Sequence, residues 1–295
     1  MVIDVHLHIA DLMAGSPDGR GMRSLSYGLA KSGDKISQIV PPSFEKTNSP
    51  AEVALGYMDW VGVEKAVLVQ GGMWGSHNEY VTRAVSLWPD RFFGTAFVPP
   101  KKGKKAAQEL RRWVDRGLRG FKMEVTEAGA KVQGWSMVGE PAMEVWKTCE
   151  QLGLIAFLHT SSAKEDADAL EGMVKECPNL KIVLCHCAGA VTPERGTVVL
   201  LAKKYPNIYA DFSGFPAMVK GEYPYPDALQ AIKWVVENVG EEKLMWGTDY
   251  PSLLRWCTYK QLVNLIKIES TFLTEEQKDQ ILGKTAEKLL ASVPI

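Results

Sequence analysis

The sequence predicts an α/β fold, a (β/α)8 TIM barrel in one domain, and three observations carry that prediction. Short β-rich runs alternate with helix-period runs along the whole chain. The 295 residues match the usual span of eight such units. Polar residues suited to catalysis recur at the ends of the β-rich runs, where the loops of a barrel gather.

The β-rich runs cover 2–8, 65–70, 93–98, 118–123, 154–159, 181–186, 207–212 and 244–249. Each is short, apolar and closed by a polar or glycine-containing loop. Ser76 and Glu79 have the spacing of a capping box, opening a helix whose apolar face is Tyr80, Val81, Ala84, Val85 and Trp88. A second helix over 104–116 gathers Ala106, Ala107, Leu110, Trp113 and Val114. A third over 226–239 stops at Gly240. Thr274 and Gln277 form another capping box, for a last helix that ends near Ala291.

A doubly wound sheet is the competing architecture. It would prefer a glycine-rich phosphate loop after the first strand, which here ends His6-Leu7-His8. Gly71-Gly72-Met73-Trp74-Gly75 does not match Gly-x-Gly-x-x-Gly and reads as a plain strand-to-helix turn. Residues 10–50 are a long insertion after the first strand, rich in Gly, Ser and Pro. On a barrel it lies over the mouth and governs substrate choice. No repeat or second domain interrupts the chain, so residues 1–295 read as one domain.

Hydrophobic residues make up 46% and charged residues 23%, which rules out a disordered chain. With 34 Lys and Arg against 35 Asp and Glu, the net charge is −1, so no excess of positive charge draws it to nucleic acid or an acidic membrane. No run is long and apolar enough for a membrane span, and the start lacks a signal-peptide pattern. Five cysteines, with no disulfide-like spacing, fit reduced thiols in the cytoplasm.

Four of the five histidines, His6, His8, His159 and His186, fall at strand ends, as does Asp249. His6 and His8 are two apart, so in a strand both imidazoles face one way and Leu7 the other. In a barrel all these ends meet at one rim. Three neutral imidazoles and one carboxylate suit a divalent transition metal, with zinc the commonest match and a position left open for water.

His6-Leu7-His8, His159, His186 and Gly247-Thr248-Asp249-Tyr250-Pro251, in this order, resemble the amidohydrolase superfamily. More narrowly they resemble the amidohydrolase-related branch that includes the aminocarboxymuconate-semialdehyde decarboxylases. The resemblance spans the chain. It implies one divalent metal ion, usually zinc and sometimes manganese, held by His6, His8, His159 and Asp249. His186 then stands beside it as a general acid/base or electrostatic partner, although in two-metal relatives the histidine of the sixth strand is itself a ligand. Relatives often dimerise, so a homodimer is an expectation of the same kind.

That reading makes the protein a metal-dependent hydrolase of a small organic acid, lactone, ester or amide, with Asp249 and His186 managing protons. The alternative is a non-oxidative decarboxylase of a small aromatic or unsaturated carboxylic acid on the same site. A barrel that binds without catalysing is the third reading. Around the centre, Arg20, Arg23 and Arg255 are candidate clamps for a substrate carboxylate. Trp74, Phe215, Tyr250 and Trp256 are candidate pocket walls. Asn78 and His77 share the loop of Trp74. Lys122, at the end of the fourth strand, contacts substrate or a carboxylate such as Glu124 or, if carboxylated, bridges two metals. Alternation turns Cys185 and Cys187 toward the helix layer as buried thiols.

Overall fold

The computed structural model describes residues 1–13 and 22–294. Eight parallel strands follow one another in sequence and in space. They are β1 (Ile3–Leu7), β2 (Lys65–Leu68), β3 (Phe92–Phe97), β4 (Gly120–Glu124), β5 (Ile155–His159), β6 (Lys181–Leu184), β7 (Ile208–Asp211) and β8 (Leu244–Met245). The cylinder closes because Val5 N–H donates to Trp246 O at 3.1 Å and His8 N–H to Tyr250 O at 2.8 Å. The last strand thereby meets the first.

Two faces of the strands build two cores. One set of alternating residues, including Ile3, Val5, Val67, Val69, Ile155, Phe157, Val183 and Met245, fills the lumen. Ala286, Leu289 and Val293 of the C-terminal segment close its base. The opposite set, including Leu7, Leu68, Phe121, Leu158 and Leu184, packs under the surrounding helices. The helix Lys104–Asp115 buries Ala106, Ala107 and Leu110 there. Pro226–Val239 buries Ala228, Ile232, Val235 and Val239, and ends at Gly240 with φ +99°. Thr274 and Gln277 do form a reciprocal capping box.

The helix Asn78–Leu87 starts differently from expectation. Ser76 does not cap it. His77 occupies the cap position, and its N–H donates at 2.6 Å to Oε1 of Gln70, just past the second strand. The insertion also differs from a plain loop. Arg23–Ser24, Leu29–Ser32 and Lys35–Gln38 pair as a small antiparallel sheet, and Ala10 and Ser49 exchange hydrogen bonds at its base. No helix among the described residues is long and apolar enough to cross a membrane.

Candidate metal centre at the barrel mouth

Simple alternation would send His6 out of the lumen, since Ile3 and Val5 already point in. A bulge reverses the parity. Asp4 pairs with Ala66 and Leu7 with Leu68, so three steps of β1 run beside two of β2. The extra residue keeps Leu7 under the helices and turns His6 and His8 into the mouth. The seam with β8 then fixes them, because Asp249 N–H donates to His6 O at 2.8 Å.

β6 and β8 stop earlier than the sequence suggests, at Leu184 and Met245. His186, Cys187 and Ala188 have φ of +56°, +48° and +53°, and Asp249 has +61°. These left-handed residues break strand alternation and turn the chain sharply. Cys185 keeps the inward phase of Val183 and lies in the lumen cluster rather than toward the helices. Cys187 packs in the outer layer, as expected. His186 would have followed Leu184 outward, yet the left-handed turn swings its ring to 4.5 Å from that of His6 and 4.7 Å from that of His159.

His8 Nε2 lies 3.1 Å from Asp249 Oδ1, and His6 Nε2 lies 3.8 Å from the same oxygen. All three donors fall within 4.8 Å of one another. Two ligands at about 2.1 Å from a tetrahedral zinc would be about 3.4 Å apart, so this spacing suits such an ion. His6 Nε2 is buried with no hydrogen-bond partner among the described residues. An orphaned lone pair aimed at a carboxylate is what a cation would satisfy. Among the described residues His159 belongs to no such triplet. It reaches the cluster through the His186 ring, and its Nδ1 lies 3.6 Å from Glu124 Oε1.

Burial, together with the charges of Lys122, His186 and His8, holds His6 well below the ordinary imidazole value. Burial, then His186 and Lys122, lowers His159 to about 3. Burial alone would lift the Asp249 carboxyl. The His8 hydrogen bond and the neighbouring imidazoles of His186, His8 and His6 overcome it and hold the group well below the usual range. A neutral His6 beside an ionised Asp249 is the pair of protonation states that metal binding requires.

Trp74 is buried, and its ring stacks 5.9 Å from His8. Lys122 is fully buried in the middle of β4 rather than at its end, with Nζ 3.5 Å from Cys185 Sγ. Other expected substrate contacts are held by the scaffold. Asn78 Oδ1 accepts from Gln70 Nε2 and Phe97 N–H, and its Nδ2 donates to Phe97 O. Tyr250 is fully buried outside the lumen, against Tyr57, Tyr259 and Phe44, because the residue after the left-handed Asp249 returns to the helix layer. Phe215 likewise packs in the outer core. Arg255 donates from Nη1 to Gln38 O at 2.6 Å and from Nε to Ser252 O at 3.1 Å. Arg23 is exposed on the small sheet, and Arg20 lies outside the described residues. His77 Nε2 is 2.6 Å from Trp74 O, and its Nδ1 is 3.5 Å from Asp11 Oδ1, so it bridges the two mouth loops.

Four polar residues of the centre have no motif to mark them. Asp211 ends β7 and touches His6, while Ser213 touches His186. Glu124 ends β4 beside His159 and accepts from Gly72 N–H. Asp4 lies beneath the seam, where it accepts from Thr248 Oγ1 at 2.5 Å and Tyr259 OH at 2.6 Å. Burial lifts its carboxyl to about 6 despite those bonds.

A profile of the family described as amidohydrolase matches residues 3–291. The 2-amino-3-carboxymuconate-6-semialdehyde decarboxylase of Dictyostelium discoideum is 26% identical over 246 residues, 74% of this chain and 66% of that one. The match thus spans just under two thirds of that relative's length. An amidohydrolase of Burkholderia multivorans, solved with bound zinc, has a TM-score of 0.76 at 15% identity, over 100% of both chains. A probable 2-pyrone-4,6-dicarboxylic acid hydrolase of Acinetobacter baumannii, solved with citric acid bound, has a TM-score of 0.70 at 18% identity, over 98% of this chain and 99% of that one. At those identities the two structures share the fold.

Proposed function

The chain belongs to the amidohydrolase family, and from that premise we propose that it is a divalent-metal-dependent hydrolase of a small organic acid, lactone, ester or amide. The observation that carries this reading is the convergence of His6 Nε2, His8 Nε2 and Asp249 Oδ1 at the mouth of the barrel. Those three residues would hold the ion, with His159 as the fourth candidate ligand. Zinc suits two or three imidazoles with one carboxylate, and manganese is the second choice. The zinc in the Burkholderia relative supports the first. When bound, such an ion supplies Lewis acidity and lowers the pKa of water at the site.

The chain's own residues divide the remaining work. Asp249 takes a proton from the attacking water and delivers it to the leaving group. His186 stands next to His6 and His159, where its free ring nitrogen can take up and return a proton. Lys122 adds a buried cation below them for an anionic substrate. Trp74 walls the site beside His8. The Dictyostelium relative favours a second reading, non-oxidative decarboxylation of an unsaturated or aromatic acid on the same residues. Five free, buried cysteines fit a cytoplasmic setting.

The test is elemental analysis of protein expressed with supplemented metal, followed by assays on carboxylated lactones and aromatic acids. One divalent ion per chain and ring opening is the expected result. Carbon dioxide release without hydrolysis selects the second reading. Protein that takes up no ion overturns both.

A further inference from the structure

We propose that Asp211 is the positioning carboxylate of this centre, fixing the orientation and tautomer of His6 directly and of His186 through Ser213. This rests on the reading above that His6 and His186 serve the metal site. Asp211 is fully buried at the end of β7. Its Oδ2 lies 3.2 Å from His6 Nδ1. Its Oδ1 accepts from His186 N–H and Ser213 N–H, each at 3.0 Å, and from the Ser213 hydroxyl.

The proton positions follow from these contacts. A carboxylate oxygen only accepts, so His6 must carry its proton on Nδ1. Its Nε2 is then the lone-pair nitrogen, and that is the buried atom left without a partner near Asp249. Ser213 gives its only hydrogen to Asp211, so toward His186 it can only accept. His186 Nδ1 lies 2.8 Å from Ser213 Oγ and 3.0 Å from Ser213 O, two acceptors. That ring also carries its proton on Nδ1 and keeps Nε2 free. One buried carboxylate therefore sets two imidazoles in the same tautomer.

His6, His186 and Asp211 also lie within 4.8 Å of one another, which could suggest an ion between them. Four donors already converge on the two oxygens of Asp211, and the Nδ1 of both rings faces an acceptor. That geometry makes Asp211 an orienting group rather than a ligand. Space around the ring is tight as well: a Cβ added at Gly214 would come 2.9 Å from His186 Nδ1. The backbone before the helix Phe215–Val219 thus leaves His186 little other room.

The direct test is the tautomer. In ¹⁵N-histidine spectra of the metal-free protein near pH 8, where imidazoles are neutral, His6 and His186 should both be Nδ1–H. An Nε2–H tautomer at either ring overturns the proposal, and the result does not depend on turnover or metal. Two variants separate the contacts. Asp211→Asn should weaken zinc binding, measured by chelator competition, by roughly 10- to 100-fold. Ser213→Ala should keep the parent's zinc affinity and the parent's KM while lowering kcat. Parent-like zinc affinity in folded Asp211→Asn, or equal weakening in both variants, also overturns it. A parent protein that binds no ion refutes the metal reading instead, and the tautomers still decide this one.

Discussion

His6 Nε2 faces Asp249 Oδ1 at 3.8 Å across the seam where the first and last barrel strands meet. The pair joins opposite ends of the chain, and His8 completes it from one residue beyond β1. Asp249 touches both imidazoles while part of its side chain remains exposed. A carboxylate placed so can hold an ion and also exchange protons with a bound substrate. Asp249→Asn keeps the shape and removes the base. We expect kcat to fall by about 10²- to 10⁴-fold with the fold retained. Steady-state kinetics alongside circular dichroism checks this, and an unchanged rate removes Asp249 from the proton transfers.

Metal removal should destabilise the protein and expose a pH dependence. An ion at a hundredfold excess over its Kd contributes about 2.7 kcal/mol to folding, so chelation should lower Tm. In the metal-free chain, burial and the charges of Lys122, His186 and His8 hold His6 well below 6.5. As pH falls through 6.5 the unfolded chain takes up a proton that folded His6 refuses. The stability is therefore fully present above 6.5 and is lost as pH falls toward the folded value. Melting curves of chelated protein between about pH 8 and pH 5 should slope down toward acid, and His6→Asn should reduce the slope to the part that His159 contributes. A parent curve with no slope contradicts a neutral buried His6.

The eight strands were legible because each apolar run is closed by loop residues, and every one appears within a few residues of its predicted span. The strand ends placed His6, His8 and His186 at the rim, where the structure has them, but the backbone features that aim side chains there were not legible. His6 and His8 point into the mouth through a bulge that exists only in the pairing of β1 with β2. His186 enters the site through a left-handed turn that no spacing announces, and Cys185 keeps the inward phase that alternation from His186 denied it. Tyr250 belonged to a motif, and motif membership says nothing about which layer a side chain joins. Asp211 sat inside a predicted strand, but a single carboxylate in an apolar run carries no signal until its neighbours are placed.

Gly247 is needed for close approach of the two halves of the seam. A Cβ there would lie 2.9 Å from His6 Cβ and 3.2 Å from His6 N. Neither neighbour is the free end of a flexible side chain, so β1 would have to move. Gly247→Ala should weaken metal binding more than it weakens the outer core, with a shift of His6 as the cause. Zinc affinity by chelator competition, compared with the change in Tm, reads this. Parent affinity in the variant would show that the seam tolerates the methyl group.

The thiols should be silent in the native state. All five cysteines are free and buried. Burial pushes Cys185 and Cys257 up to about 12 and Cys177 up to about 11, so almost no thiolate exists near neutral pH. A chromogenic disulfide reagent should titrate none of them in folded protein and all of them in denaturant. Fast reaction of one thiol in the native protein would point to local opening around it.

Arg255 distinguishes a tether from a clamp. Its guanidinium donates to Gln38 O of the insertion and to Ser252 O of its own loop. A charged hydrogen bond of this kind contributes about 1.5–3 kcal/mol when well formed. As a tether, Arg255 holds the small sheet over the mouth whatever the substrate carries. Arg255→Ala should then raise KM by a similar factor for carboxylated and neutral substrates, and make the segment before Gln38 more sensitive to protease. A clamp on a substrate carboxylate would raise KM for the acids alone and leave proteolysis unchanged. The pattern across a matched acid and its amide decides which role Arg255 has.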